Sequence, residues 1–454
     1  MALEFEELDI RALIEALVLA EKIKPTQVAK REVFRKYGLL GTRKDRIFTA
    51  VVYGLGRTLG LVDKVIQMAT SVSVESLDPW TRSLLRLYTY LTKFSQVNDR
   101  SLPRALKIYG PIVVSEKMGR EAGWRARELL RKIDSFVYKP STPEDELELR
   151  YMVSSWLIRR VIEMLGEEEA KQFLEAINRI PALGLRVNTL RASIEEVAEE
   201  LARFGVEMWR SPYVPTVIKY RGFINYEELR CLKEGKAFPQ DDSSALASIL
   251  LDPKPGEVVV DMCAAPGGKT THIAELMRDR GLVIAFELYA DRAEYLKNTV
   301  RRGGFTCVEV VQGDARTLKD IVGIERVDRV LLDPPCSSTG AVAKHAEARW
   351  RLTPERLQQL VDLQKKLLEV AVEIVKPGGI VVYTTCSILP EENEYVVQYI
   401  LEKYRGYIEL EALNGPFDPG FLPGTMRAWP HRHDTTGFFY AKIRKIRSLS
   451  DVLS

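Results

Sequence analysis

No stretch of this sequence approaches the roughly 20 consecutive apolar residues that a membrane-spanning helix requires. The opening residues, Met1-Ala2-Leu3-Glu4-Phe5-Glu6-Glu7, are acidic where a secretory signal would be basic and then apolar. Five cysteines, Cys231, Cys263, Cys307, Cys336 and Cys386, stand far apart with no C-x-x-C pair, which argues against a disulfide framework or a structural zinc site. Internal repeats and low-complexity tracts are also missing. These absences describe a cytoplasmic protein without a membrane partner. At 454 residues it is long enough for about three domains and a core that needs no cross-links.

The residue balance is ordinary for a globular chain, with 46% apolar and 28% charged residues. The net charge of +3 conceals an asymmetry: residues 1 to 140 carry 25 Lys and Arg against 16 Asp and Glu, a local +9, leaving −6 for the remainder. The excess is densest from Lys22 to Arg46, with nine basic residues against two acidic ones. Such a stretch is the electrostatic footprint of a polyanion-binding surface or a solvated helix face.

Strand-like alternation is scarce up to about residue 137. Apolar positions recur instead at helical spacing, in Leu13, Ile14, Leu17 and Val18 and again in Ile47, Val51, Val52 and Leu55. The linker Lys139-Pro140-Ser141-Thr142-Pro143-Glu144-Asp145 breaks this pattern. Thr142 with Pro143 and Asp145 reads as an N-cap, and the helix it starts is expected to run through Leu157. A mixed region follows: a helix over Glu167 to Asn178, a strand over Leu183 to Val187, a helix over Ile194 to Phe204, and extended pieces near Val206 to Met208 and Thr216 to Ile218. It reads as a small α+β positioning module.

After Gln240-Asp241-Asp242-Ser243-Ser244 the pattern becomes regular. Strands are expected at Val258 to Asp261, Leu282 to Glu287, Val308 to Gln312, Arg329 to Asp333 and Ile380 to Thr385, separated by helices. That is the signature of a mostly parallel, doubly wound α/β sheet. Its last long helix has clear ends: Thr353 caps it, Pro354 takes the first turn, and Lys376-Pro377-Gly378-Gly379 stops it.

The first of these strands runs into Asp261-Met262-Cys263-Ala264-Ala265-Pro266-Gly267-Gly268-Lys269-Thr270, and a helix is expected from Thr271 to Met277. Gly267 and Gly268 free the backbone for a sharp turn, Pro266 stiffens its entry, and the helix start offers unpaired N–H groups to an anionic or zwitterionic ligand. A dinucleotide G-x-G-x-x-G is missing. The phosphate loop G-x-x-x-x-G-K-[ST] is missed by one residue, because Cys263 stands where its first glycine belongs.

Ligands of such sheets lie at the carboxyl ends of the strands, and every strand end here carries polar residues. Glu287 is placed to accept both hydroxyls of a ribose, and Asp314 to accept from an adenine amino group. Cys336, in Asp333-Pro334-Pro335-Cys336, and Cys386, in Thr384-Thr385-Cys386-Ser387, fall on one edge if their strands are neighbours. Two thiols beside an adenosine site, with no metal pattern, point to covalent chemistry at carbon. Lys269 or the helix dipole would favour a thiolate. His431, His433 and Asp434 lack a third separate metal ligand, so no metal is expected.

Three motifs in order, Asp261 to Thr270, Asp333 to Ser337, and Tyr383 to Ser387 with Pro390-Glu391-Glu392-Asn393-Glu394, resemble the RsmB/NSUN class of RNA cytosine-5 methyltransferases. The likeness extends to Leu185-Arg186-Val187-Asn188-Thr189-Leu190, Gln240-Asp241-Asp242-Ser243-Ser244, Trp429-Pro430-His431 and Gly437-Phe438-Phe439. Residues Asp45 to Arg57 with Leu61 to Asp63 and Leu84 to Tyr90 resemble a NusB-like all-α RNA-binding domain. The resemblance implies three parts: a NusB-like domain over 1–138, a small α+β module over 145–240, and a Rossmann-like methyltransferase domain over 241–447.

The resemblance further implies transfer of a methyl group from S-adenosylmethionine to carbon 5 of a cytosine in rRNA or tRNA, by a monomer. Cys386 would be the nucleophile, and Cys336 would assist proton removal and release. Asp333 would hydrogen-bond the ring, with Lys269 beside it in the catalytic group. Cys263, Ala264, Ala265, Pro266, Gly267, Gly268, Lys269, Glu287, Arg292, Asp314 and Asp333 would hold the cofactor. The chain departs from the pattern at Ala343 and Ala346, where an Arg and a Pro are frequent, and keeps Lys344 and Trp350. Two other readings remain, a phosphate-loop NTPase and a non-enzymatic RNA-binding protein.

Overall fold

The structure, a computed structural model, describes residues 4–22, 26–95, 100–346 and 348–449. It divides into two compact units, Met1–Ala170 with His345–Arg351, and Lys171–Lys344 with Leu352–Ser454. Among the described residues no helix is long and apolar enough to cross a membrane.

The first unit is helical. Its longest helix, Arg43–Thr70, is capped by the Thr42 hydroxyl, which accepts from the Asp45 amide, and it buries Phe48, Val51, Val52, Leu55, Leu61, Val62, Val65 and Ile66 along one stripe. Helices Glu7–Ala20, Thr26–Lys36, Pro79–Thr89, Ser101–Met118 and Arg120–Ser135 contribute to the core around it. Two glycines of the long helix let rings lie on its backbone: a Cβ on Gly54 would sit 1.9 Å from the Tyr90 hydroxyl, and one on Gly60 would sit 2.1 Å from the Trp350 ring. Trp350 is fixed there by its indole N–H, which donates to the Arg57 carbonyl at 2.8 Å.

The basic stretch from Lys22 to Arg46 is less open than its composition suggests. Lys30 pairs with Asp45 at 2.7 Å, Lys36 with Glu15 at 2.5 Å and Lys44 with Asp9 at 2.6 Å, while Arg35, Arg43 and Arg46 stay exposed. Lys24 lies outside the described residues. The Thr142 capping box is present, but the helix it opens ends at Tyr151, where Met152 turns left-handed with φ +52°. Ser154 then caps a second helix, Ser155–Leu165, so the expected continuous helix through Leu157 is two helices.

In the second unit, strands β1 (Leu183–Val187), β2 (Glu207–Arg210), β3 (Val217–Arg221) and β4 (Ala237–Pro239) form an antiparallel sheet in the order β2-β3-β1-β4. Its core is Leu185, Val187, Val197, Leu201, Ile218 and Tyr220. The helices flanking β1 are Glu167–Ala176 and Ile194–Ala202, each two residues shorter than expected at its end.

The larger sheet contains β5 (Val258–Asp261), β6 (Leu282–Glu287), β7 (Val308–Gln312), β8 (Val327–Leu332) and β9 (Val375–Thr385). It is completed by β10 (Ile408–Glu411), β11 (Asp418–Pro419), β12 (Met426–Ala428) and β13 (Phe438–Lys445). The order is β11-β12-β13-β9-β8-β5-β6-β7, parallel from β9 to β7, with β13 antiparallel to β9 and β10 on β13. From β5 the chain moves outward to β6 and β7 and then crosses to β8 on the other side. The crevice beyond β5 and β8 is therefore the switch point where α/β sheets bind ligands.

Leu185 to Leu190 has a structural task in this arrangement. Arg186 is fully buried, pairs with Glu275, and donates to Gln240 Oε1 at 2.6 Å and Thr271 Oγ1 at 2.9 Å. Asn188 donates to the Gly235 carbonyl at 3.0 Å, and Thr189 Oγ1 to Glu275 Oε1 at 2.8 Å. These bonds tie β1 to the helix that follows the glycine turn.

Candidate active site

The turn after β5 is tighter than expected, because its helix starts at Gly268 rather than Thr271 and ends at Leu276. Gly267 caps that helix with φ +106°, a left-handed conformation that favours glycine. Thr270 Oγ1 donates to Asp261 Oδ2 at 2.7 Å, which draws the helix onto the end of β5. Among the described residues the other oxygen, Asp261 Oδ1, is buried without a full hydrogen bond, although the Cys263 amide acts weakly on the carboxylate. Burial pushes the Asp261 pKa up to about 6, against the opposing Thr270 bond and Lys269 charge.

The expected cofactor residues fall into one connected group with one outlier. The Ala264 amide donates to the Phe286 carbonyl at 2.9 Å, which sets the turn beside the end of β6. Arg292 bridges the two, donating to the Ala265 carbonyl at 2.8 Å and lying 3.4 Å from Glu287 Oε1. Glu287 is only 4% exposed, and its Oε1 accepts from the Tyr289 amide at 3.1 Å. Pro266 is exposed at the rim and Cys263 is half-buried. Asp314 stands apart: its carboxylate accepts from the Arg316 amide and side chain, both at 2.9 Å, and its segment joins the group through the pairing of β7 with β6, which ends at Gln312 beside Glu287, and through the bond from the Gly313 amide to the Glu287 carbonyl.

Bare backbone at Gly267 and Gly268, a buried acid at the end of β6 and a buried oxygen on Asp261 without a full hydrogen bond suit a polar ligand with a ribose and a cationic or zwitterionic tail. A Cβ on Gly268 would already press to 3.3 Å from the Gln240 side chain. The residues present fit S-adenosylmethionine.

Across the switch point, Lys269 Nζ donates to Asp333 Oδ2 at 2.6 Å and to Ser244 Oγ at 2.9 Å, and lies 5.1 Å from the Phe438 ring centre. Burial pulls the Lys269 pKa down, but the Asp333 carboxylate outweighs it and the net shift is upward, so the ammonium is retained. Asp333 is the first residue beyond β8, which ends at Leu332 and begins at Val327, two residues earlier than expected.

The two thiols meet. Because β8 and β9 are parallel neighbours, Cys336 Sγ and Cys386 Sγ come to 3.3 Å, both free and both half-buried. The two sulfurs share a hydrogen bond, either one able to donate, and a proton given by Cys336 holds Cys386 below the ordinary thiol range against burial and the Asp333 charge. Ser338 and Lys269 add smaller favourable effects. The neighbouring thiol, more than Lys269, is what lowers it. Cys336 is raised for the reciprocal reason, with burial adding to it. Burial pushes the Cys231 and Cys307 thiols up to about 12 and raises Cys263 as well, so Cys386 alone of the five is shifted towards the thiolate.

Residues to which the sequence assigned no role hold this pair. Glu392, fully buried, accepts from the Ser337 amide at 2.8 Å, from the Ser337 hydroxyl, and from Gln364 Nε2 at 3.0 Å. Asn393 accepts from Thr385 Oγ1 at 2.6 Å and donates to the Ser387 carbonyl at 2.9 Å, gripping the residues on either side of Cys386. The available signal was a dense polar run, Pro390 to Glu394, directly after a buried strand. Asp241 accepts from Lys344 at 2.7 Å and Lys219 at 3.0 Å, so Lys344 closes the loop that leaves Cys336.

Comparison with known proteins identifies the family. Residues 248–444 match the family described as 16S rRNA methyltransferase RsmB/F, and residues 153–226 match the RsmF/B-like ferredoxin-like domain. A ribosomal RNA small subunit methyltransferase B of Klebsiella pneumoniae is 35% identical over 305 residues, covering 67% of this chain and 68% of the relative. A mouse 28S rRNA (cytosine-C(5))-methyltransferase is 34% identical over 66% of this chain and 40% of its own length. The crystal structure of PH0851 superposes with a TM-score of 0.91 and 43% identity, covering 98% of this chain and all of that one.

Proposed function

The chain belongs to the RsmB/F family of S-adenosylmethionine-dependent rRNA methyltransferases, and on that premise we propose that it methylates carbon 5 of a cytosine in structured RNA, ribosomal or transfer, through a covalent adduct with Cys386. The observation that carries this reading is the 3.3 Å approach of Cys336 and Cys386 beside the Lys269–Asp333 pair. Two thiols at van der Waals contact, one shifted towards its thiolate, serve no packing purpose that a pair of alanines would not.

Cys386 adds to carbon 6 of the ring, and the electron pair displaced from the carbon 5–carbon 6 double bond makes carbon 5 nucleophilic. S-adenosylmethionine, when held by the glycine turn, would supply the methyl group to carbon 5 and leave as S-adenosylhomocysteine. Carbon 5 then carries both methyl and hydrogen. Cys336 assists loss of that proton, the double bond re-forms, and Cys386 departs as the thiolate. Asp333, held by Lys269, hydrogen-bonds the ring and stabilises the charge that develops on it. Because carbon 6 is shielded within a stack, the target base must be unpaired or flipped out.

The glycine turn from Cys263 to Lys269, with Glu287, Arg292, Asp314 and Asp333, is assigned to the cofactor. The NusB-like helical part over 1–138 and the α+β module over 145–240 are assigned to RNA, leaving 241–447 for catalysis. Cys386→Ala is expected to abolish methylation, and Cys336→Ala to accumulate a covalent protein–RNA adduct on denaturing gels. Methylation by Cys386→Ala at the parental rate would overturn the reading. Bisulfite sequencing of RNA from cells with and without the protein identifies the cytosine.

A further inference from the structure

Ser338 holds a backbone conformation that its side chain disfavours. Its φ is +56°, in the left-handed region that glycine enters freely and L side chains seldom do. The segment is closed by hydrogen bonds from the Ala341 amide to the Ser338 carbonyl and from the Gly340 amide to the Cys386 carbonyl, each 2.9 Å. Gly340 in turn crosses Gly437, whose carbonyl would lie 2.3 Å from a Cβ on Gly340. The loop is thereby packed onto the residue that bears the nucleophilic sulfur, and the Ser338 hydroxyl is brought to 3.5 Å from Cys386 Sγ.

We infer that the Ser338 hydroxyl is a further catalytic group, which donates a hydrogen bond to the Cys386 thiolate before attack and again on departure. The inference rests on the assignment of Cys386 as nucleophile. In the neutral pair the S–H donates to the hydroxyl oxygen. Once Cys386 has lost its proton, only the hydroxyl has one to give, so the bond reverses direction without movement of heavy atoms.

The other groups facing the sulfur are Asp333, Lys269 and Cys336. Asp333 opposes the thiolate and Lys269 favours it, and being bound to each other they largely cancel. That leaves two short-range donors. Cys336 is needed for the release step, so Ser338 is the donor whose proton, among the described residues, is not otherwise engaged.

The test uses the full-length protein with Ser338→Gly and Ser338→Ala. The Gly variant relieves the backbone and deletes the hydroxyl, so it separates folding from chemistry. The readouts are thermal unfolding and the rate of Cys386 alkylation by iodoacetamide from about pH 6 to about pH 10, resolved by mass spectrometry of the Cys386 peptide. Ser338→Gly is expected to melt no lower than the parent while the Cys386 titration midpoint rises by about half to one pH unit. Alkylation and methyl transfer at neutral pH would then fall roughly 3- to 10-fold and recover at higher pH. An unchanged midpoint in both variants would overturn the inference, whether or not the Ala variant melts lower. Alkylation concerns the free protein, so it stands apart from the nucleophile assignment, which fails separately if Cys386→Ala still methylates.

Discussion

Lys269 and Asp333 face each other across the switch point of the sheet, with Nζ 2.6 Å from Oδ2, one at the turn after β5 and the other just beyond β8. Their side chains are 13% and 24% exposed, too enclosed for water to replace a lost partner fully. Lys269→Met is expected to destabilise the fold by about 1–3 kcal/mol, because an acid is left half-buried without its cation. Methyl transfer should fall by about two orders of magnitude or more, since Asp333 is no longer oriented. The double variant Lys269→Met with Asp333→Asn should regain most of the stability and none of the activity. Urea unfolding and methyl incorporation into RNA measure the two effects. Activity in the double variant near the parental level would remove both residues from the mechanism.

Glu392 is the support of the Cys336 turn, and its loss should affect release more than attack. Glu392→Ala strips the acceptor from the Ser337 amide, the Ser337 hydroxyl and Gln364 together, leaving buried donors unpaired at a cost of about 2–4 kcal/mol. Glu392→Gln keeps one acceptor oxygen but sets an amide N–H₂ against donors, and is expected at about half that cost. In both variants Cys336 is misplaced while Cys386 keeps its Asn393 clamp, so covalent adduct should accumulate as it does for Cys336→Ala. A denaturing gel after incubation with RNA and S-adenosylmethionine reports it. Reduced activity without any adduct would mean that Glu392 supports attack rather than release.

The parallel half of the sheet was legible because its buried strands are apolar runs ending in polar residues, and β5, β6 and β7 have the expected bounds. The antiparallel strand β13 was not. It carries Lys442 and Arg444, which pair with Glu411, and Lys445, which pairs with Glu325, so it does not read as buried although Ala441 and Ile443 are. Cys336 and Cys386 stood out by their strand-end positions, and the neighbouring of β8 and β9 follows from crossover handedness. Glu392 acts through bonds to Ser337 and Gln364, far away in sequence, Asn393 through bonds across the turn to Thr385 and Ser387, and the φ of Ser338 comes from loop closure. None of these is encoded in local periodicity. In the basic stretch, composition alone could not show that three of its lysines pair with acids while Arg35, Arg43 and Arg46 stay exposed.

Gly60 makes a stability prediction for the helical unit in which two effects oppose. An alanine in mid-helix gains about 1 kcal/mol of propensity over glycine. Here the new methyl would lie 2.1 Å from the Trp350 ring, and the ring cannot slide away without breaking its bond to the Arg57 carbonyl. Overpacking of that kind costs about 1–3 kcal/mol, and the lost indole bond about 1 kcal/mol more. Gly60→Ala should therefore melt several degrees below the parent. Adding Trp350→Ala opens the space and should make the alanine at 60 neutral or favourable. If Gly60→Ala is stabilising in the presence of Trp350, the close approach of ring and helix is wrong.

Asp261 gives the fold a pH dependence of definite sign. Its pKa is raised to about 6 because burial of the carboxylate disfavours the charge, while in the unfolded chain it returns to its ordinary value of 3.8. Between those two values the folded state binds more protons than the unfolded state, so the contribution of Asp261 to stability falls as pH rises through that window. The contribution is fully present below the unfolded pKa and gone above about pH 7. A shift of this size corresponds to about 2–3 kcal/mol. Asp261→Asn removes the titration and retains an oxygen to accept from Thr270, at the modest expense of an unpaired N–H₂ in place of Oδ1. Other groups titrate in the same range, so the decisive quantity is the difference in unfolding free energy between variant and parent, measured in urea at a series of pH values. That difference should move in favour of Asp261→Asn by about 2–3 kcal/mol from acid to neutral pH and then level off. A difference that stays constant with pH would show that Asp261 ionises normally in the folded protein and that its buried oxygen has a partner in solution.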